Sequence, residues 1–396
     1  MAGGDGAEKE AIYVGSLSSK DIRLIATVDS NVVFAPPGFL LFSRQQALLA
    51  QSFDLQKLRL IGEPAPLGAA HVARRFSRPA VSLFSASQNG VLVYRNSVSR
   101  NVQLAWYKRD GARLGGVGEP GPNEGMRISP DETQLVLDRT DAETGQNDVW
   151  TVQLSSGIFT RVTFGPSNNI GAEWSPDGRE LAFSSDRRIG GLYEVYRKPA
   201  AGGNDELLSV SQDQSRFPQQ WLRNGSILLN SWPRVAGGRN LFYLLPLSGA
   251  RKPLLLRKGN KESFTDDAPI VSFDGRCAAY FSDQSGQLEV YVASFPGFRD
   301  ERRVSANGAG APLWRKDGKE LFYITLDGKF MSVDVECGTR LVTGVPKVLF
   351  QVPFPVDVRT IVFCVADNGK KFIFAEPVDR NESLNLVLNW TAALKR

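Results

Sequence analysis

Histidine is almost missing from this chain of 396 residues, cysteine and methionine occur three times each, and no long basic or apolar run interrupts it. Each scarcity removes a class of function. The single histidine, His71 in AAHVARRFSRP, cannot complete a Ser-His-Asp triad, and no G-x-S-x-G nucleophile turn accompanies it. We read it as a solvated side chain in a link between repeats. Cys277, Cys337 and Cys364 are odd in number and widely spaced, which suits neither a disulfide framework nor a zinc site. Buried free thiols are expected, and no metal. Gly-Lys pairs at Gly318, Gly328 and Gly369 continue with Glu, Phe and Lys, where a phosphate-binding loop needs Ser or Thr. No cofactor is expected.

The 47 basic and 42 acidic residues leave a net charge of +5 with no basic stripe, so no nucleic-acid footprint is visible. The opening MAGGDGAEKE has no basic segment followed by an apolar one, and no later run reaches membrane-spanning length. As written, the sequence is expected to be cytoplasmic, without a membrane segment and monomeric. Apolar residues make up 42% of it, enough for a substantial core.

What the sequence has instead is a repeat. A turn signal recurs at PPG (Gly38), SQNG (Gly90), SPDE (Asp131), SPDG (Gly178), LRNG (Gly225), SFDG (Gly275), RKDG (Gly318) and ADNG (Gly369), spaced about 47 residues apart on average. Alternating runs follow, such as Leu181 and Phe183 in RELAFSS or Leu321 and Tyr323 in ELFYIT, and a period of two means strand. Later in each repeat an apolar residue precedes an aromatic one, as in Ala105-Trp106, Val149-Trp150, Val195-Tyr196, Phe242-Tyr243 and Val290-Tyr291. Four strands per period give the blade of a β-propeller. The chain is therefore expected to be all-β, with residues 1–10 as a flexible N-terminus and 11–396 as one propeller domain. Eight four-stranded antiparallel blades account best for the length, with seven, or six plus a leftover N-terminal segment, as alternatives. Closure is expected through residues 11–25 completing a blade begun by residues 358–391. QQALLAQSFDLQKL, from Gln45, is read as two strands and a turn rather than a helix.

These residues resemble the TolB-like propeller repeat, with its WSPDG turn and Ile/Val-Tyr strand. The likeness extends from AIYVGSL at Ala11 through EWSPDGRELAFSSD and LEVYVASFPG to LNWTAALKR. It is nearest to the C-terminal propeller region of bacterial serine/threonine protein kinases of acidobacterial type. Glycine-rich, HRD and DFG kinase signatures are absent from the chain. The resemblance implies the sensor or scaffold part of a kinase-like system, and a periplasmic or other extracytoplasmic location if the chain belongs to a longer membrane kinase.

The Asp residues of the turns, Asp131, Asp177, Asp274 and Asp317, are read as backbone caps of tight turns and not as metal ligands. Trp106, Trp150, Tyr196, Tyr243 and Tyr291 are read as packing between blades. Alignment on the turns places Arg127, Glu173 and Gln220 at equivalent points of successive first strands. They are the candidate residues of the channel or its rim, joined by Arg187 and Arg188 on a neighbouring loop. The expected function is non-enzymatic binding of a protein or small ligand. A hydrolase or lyase with an acidic site at the channel is the alternative.

Overall fold

The computed structural model describes residues 10–15, 22–28, 31–44, 47–71, 74–75, 81–95, 101–141, 144–188, 191–233, 239–258, 266–378 and 384–395. Nearly all of its regular structure is antiparallel strand, with two short 3-10 turns. The N-terminal residues 1–9, part of the segment expected to be flexible, lie outside the described residues. Contacts divide the chain into two compact units, Met1–Arg100 with Asp379–Arg396, and Asn101–Val378.

The larger unit consists of six sheets. The first is composite: Val102–Lys108 and Arg113–Gly121 from the start of the unit pair with Phe363–Ala366 and Lys371–Pro377 from its end, Trp106 lying opposite Ile373. The other five follow in chain order, opening with Asn123–Ile128, Asn169–Trp174, Gln214–Trp221, Asp266–Val271 and Ala309–Trp314. Four of them have four strands and the sixth has five. Each begins with a hairpin over the marker turn. In the third sheet Gly178 N donates to the Ser175 carbonyl at 2.8 Å and Gly178 takes φ +73°, a region that costs glycine nothing.

Packing follows the same order. Apolar clusters join the first sheet to the second (Leu104, Cys364 and Ile373 with Met126 and Leu137), the second to the third (Val136 and Val149 with Trp174 and Phe183), and the third to the fourth (Ala182 and Val195 with Trp221 and Leu229). They go on from fourth to fifth (Leu228 and Phe242 with Tyr280 and Tyr291) and from fifth to sixth (Ala279 and Val290 with Trp314 and Tyr323). The last cluster brings the sixth sheet against the first, Phe322 and Phe330 meeting Tyr107, Phe372 and Phe374. Tyr196 and Tyr291 belong to these clusters, and Trp106, Trp150 and Tyr243 pack at their margins, so the repeated aromatic residue is inter-sheet core. Burying such a side chain contributes about 1.5–3 kcal/mol.

The smaller unit has a hairpin, Glu10–Gly15 with Ile22–Val28, and a four-stranded sheet, Val33–Ala35, Phe39–Arg44, Ala47–Asp54 and Arg59–His71. Its three-stranded sheet orders Leu384–Leu388, Val91–Arg95 and Phe84–Ala86. Both faces of the four-stranded sheet are apolar. Leu40, Phe42 and Phe53 meet Ile12 and Val14 of the hairpin, while Leu41 and Leu48 join Phe84, Leu92 and the buried Trp390. The QQALLAQSFDLQKL segment, residues 45–58, contains one strand, Ala47–Asp54, and the turn that leads into Arg59–His71, so only one of the two expected strands lies within it.

Two expectations change. Residues 11–25 do not complete a sheet begun by residues 358–391: they pair within their own hairpin, while Lys371–Pro377 pairs with Val102–Lys108 and Leu384–Leu388 with Val91–Arg95. Phe372 and Phe374 alternate with the composite sheet's own pleat and fill the core beside Tyr107, which fixes that register. Cys277 and Cys337 are not free thiols but a disulfide, Cα–Cα 5.9 Å. They sit on neighbouring sheets, a proximity that their separation of 60 residues conceals. Cys364 is the free, buried thiol that was expected.

Candidate functional site

The first strands of successive sheets touch one another, and Phe363–Ala366 touches both Asn123–Ile128 and Ala309–Trp314. The candidate site is the polar network where these strands meet. Each of the first strands of the second, third and fifth sheets carries a bulge, between Glu124 and Arg127, Ile170 and Glu173, and Asp267 and Ile270. A bulge turns a backbone N–H out of its own ladder. At Gly171, φ +65°, that N–H donates to both carboxylate oxygens of Asp138 on the second sheet, at 3.0 and 2.9 Å.

Arg127 and Glu173 form an ion pair across the second and third sheets, with side chains 17% and 9% exposed. Trp174 Nε1 donates to the Arg127 carbonyl at 3.2 Å and reinforces the same junction. Burial pushes the Glu173 carboxyl up to about 7, opposed by the Arg127 charge. Burial pushes Asp138 up to about 8 against the Gly171 hydrogen bond, and the Glu124 charge raises it further. Cys364, on the composite sheet, contacts the Met126 carbonyl at 3.5 Å, and burial pushes its thiol up to about 12, which makes it inert.

Gln220 does not join this pair. Its amide clamps the next sheet instead: Nε2 donates to the Val271 carbonyl at 3.1 Å, and Val271 N donates to Oε1 at 2.7 Å. Arg187 and Arg188 follow the second strand of the third sheet. Arg187 donates to Ser185 Oγ at 2.9 Å and Asn169 Oδ1 at 3.0 Å, pairs with Asp205 and lies 4.2 Å from the Tyr196 ring centroid. Arg188 pairs with Glu194 at 3.1 Å. The five candidates thus fall into three groups: a charged junction, an amide clamp and an arginine pair on a loop. His71 ends its strand, and its side chain lies outside the described residues. Among the described residues no group of three or more His, Cys, Asp or Glu is placed to hold a metal.

Sequence reasoning missed Asp138, Asp267 and the acids that open the third strands. Asp267 accepts from Asn230 across the fourth and fifth sheets, and burial pushes it up to about 7. Asp148 accepts from Thr163 Oγ1 at 2.7 Å while Thr163 Oγ1 also accepts from Val149 N at 2.9 Å. Glu289 repeats that arrangement with Ser305, whose Oγ accepts from Val290 N at 2.7 Å. The available signal was an acid before each Val-aromatic pair and a Ser or Thr at the end of the following strand.

The fold is similar to that of solved β-propeller structures, a TolB protein among them. The structure of a putative TolB from Agrobacterium tumefaciens is similar with a TM-score of 0.55 and 19% identity, over 72% of this chain and all of that one. TolB from Acinetobacter baumannii matches at 0.45 and 15%, over 78% of each chain. No family model matches the sequence. An uncharacterized protein of Agrobacterium fabrum, Atu1656, is 34% identical over 71 residues, which are 18% of this chain and 24% of that protein. The match therefore spans about a quarter of the relative's length. Among the described residues, no helix is long and apolar enough to cross a membrane.

Proposed function

We propose that residues 101–378 form a closed propeller of six blades that serves as a non-enzymatic binding module for a protein or small ligand. Closure is supported by the composite sheet, whose strands come from both ends of the unit, and by the apolar cluster between the sixth sheet and the first. The observation that carries the binding reading is the commitment of the ionisable groups near the first strands. Asp138 and Glu173 are buried, Asp267 is half-buried, and each is bound to a neighbouring sheet, so they hold blades together rather than face a substrate. Arg187 and Arg188, on a loop that follows a second strand and paired there with Asp205 and Glu194, supply part of the binding rim, as loops on a rigid scaffold commonly do.

Resemblance to the propeller regions of bacterial kinases extends this to a sensor or scaffold role in signalling. The Cys277–Cys337 disulfide favours an oxidising, extracytoplasmic location over the cytoplasm. One observation favours a second reading, a hydrolase or lyase: Asp138 and Glu173, both raised toward neutrality, have the pKa of working acids. Affinity capture with the whole chain, followed by mass spectrometry, separates the two. A binding module retains its partner when Glu173→Gln is introduced and loses it with Arg187→Glu and Arg188→Glu. An acid-site enzyme turns over a substrate, and Glu173→Gln abolishes that turnover.

A further inference from the structure

The composite sheet contains a pairing that opposes its own stability. Lys108 and Lys371 are direct cross-strand partners, and like charges opposite one another repel at Cβ separations of about 4.5–5.5 Å. Lys370 is adjacent in the chain. Lys108 and Lys370 have no carboxylate within 4.0 Å among the described residues, and Lys371 reaches Asp367 only at 4.0 Å. Arg109 is already spent: it pairs with Glu320 and donates to the Gly369 carbonyl at 3.0 Å. These residues line one open depression of about 590 Å³, together with Asp110, Asp367 and the half-exposed Leu114. Lys108 and Lys370, without a carboxylate partner, and Lys371, held only loosely by Asp367, thus line the same depression as one apolar side chain.

We propose that this depression docks an acidic polypeptide segment, whose carboxylates bridge Lys108, Lys370 and Lys371 and whose apolar side chain covers Leu114. The binding-module reading underlies this assignment, which adds the partner's chemistry. An anion relieves the repulsion between Lys108 and Lys371, so part of the binding free energy comes from strain that the free protein already carries. Asp110 and Asp367 decide between partners. They repel a continuous anionic surface such as a membrane, but a segment with spaced carboxylates fits around them. The chain's net charge of +5 favours encounter with an acidic partner.

The test is fluorescence anisotropy of a labelled peptide of alternating Glu and Leu, titrated with the whole chain at low and at physiological salt. Lys108→Glu combined with Lys370→Glu should weaken binding by about tenfold or more, and added salt should weaken binding to the parent chain. Arg179→Glu, at an 86% exposed side chain on the third sheet's turn, should leave binding unchanged. Lys108→Glu alone should also raise the melting temperature, because it converts a repelling cross-strand pair into an attracting one. Equal peptide binding by the parent and the double variant overturns the proposal, as does binding to phosphatidylserine vesicles without binding to the peptide. If captured partners stay bound to the double variant, this surface is wrong while the binding-module reading stands.

Discussion

Lys316 Nζ donates to the carbonyl oxygen of Pro130 at 2.9 Å, although 186 residues separate the two. The bond joins the turn of the sixth sheet to that of the second, and the turn of the composite sheet adds Asp367 N on Glu132 Oε2 at 2.8 Å. Chain ends of the larger unit are therefore tied both by surface turns and by core. The two ties should differ in strength. Lys316 is half exposed, so Lys316→Ala should cost under about 1 kcal/mol. Phe374 is fully buried and lies 5.2 Å from both Tyr107 and Phe330, so Phe374→Ala should cost about 3–5 kcal/mol. Urea denaturation of the two variants checks the contrast.

Removing one member of the Arg127–Glu173 junction should cost more than removing both. Arg127→Ala removes the charge that opposes the burial of Glu173, so the carboxyl is left unpaired or takes up a proton, and the cost, at most about 3–5 kcal/mol, should grow as pH rises. Replacing both residues by Leu removes the charge as well as its partner. That double variant should recover most of the loss, and a double-mutant cycle by chemical denaturation gives the coupling.

Raised carboxyls give stability a definite slope with pH. Asp138, Glu173 and Asp267 titrate at about 8, 7 and 7 in the folded protein, and near 4 when unfolded. Between those values the folded state holds protons that the unfolded state has released, so stability falls as pH rises from about 5 to 8. Below about pH 4 the sign reverses, because hydrogen bonds hold Asp131, Asp177 and Asp317 below their usual range and acid removes that contribution. Melting temperature should peak on the acid side of neutrality. Asp138→Asn should flatten the slope between pH 5 and 8, and an unchanged slope would show that Asp138 does not titrate there.

The disulfide closes a loop of about 60 residues, for which chain entropy gives about 4 kcal/mol. Cys277→Ala combined with Cys337→Ala, or reduction under mild denaturant, should lower the denaturation midpoint accordingly. Cys364→Ala should leave the protein's response to reductant unchanged.

The repeat was legible because its signals are local. Turns and alternation occupy a few consecutive residues, and in the turns Ser129, Ser175 and Ser272 each place Oγ 2.6 Å from the Asp two positions later. Equivalence within a repeat also pointed to Arg127, Glu173 and Gln220, but it cannot say which of them meet. Trp174 reaches Arg127 across 47 residues and Gln220 reaches Val271 across 51, so each partner lies a full period away and depends on how the sheets pack. The strand pairing of residues 11–25 and 358–391 differs from the expectation for the same reason. Several segments had the pattern of a completing strand, and only the core beside Tyr107 selects Lys371–Pro377.

Glu132 stands where the other turns have glycine, and it takes φ +59°. A side chain in that region costs about 1–2 kcal/mol, yet its carboxylate receives Asp367 N and lies 3.7 Å from Lys316 Nζ. The strain and the contacts can be separated by two substitutions. Glu132→Ala keeps the strain and loses both contacts, so it should destabilise. Glu132→Gly loses the same contacts and relieves the strain, so it should be more stable than the alanine variant by about 1 kcal/mol. If thermal melts place the two variants level, backbone strain at this turn is negligible, and Glu132 is retained there at no conformational cost.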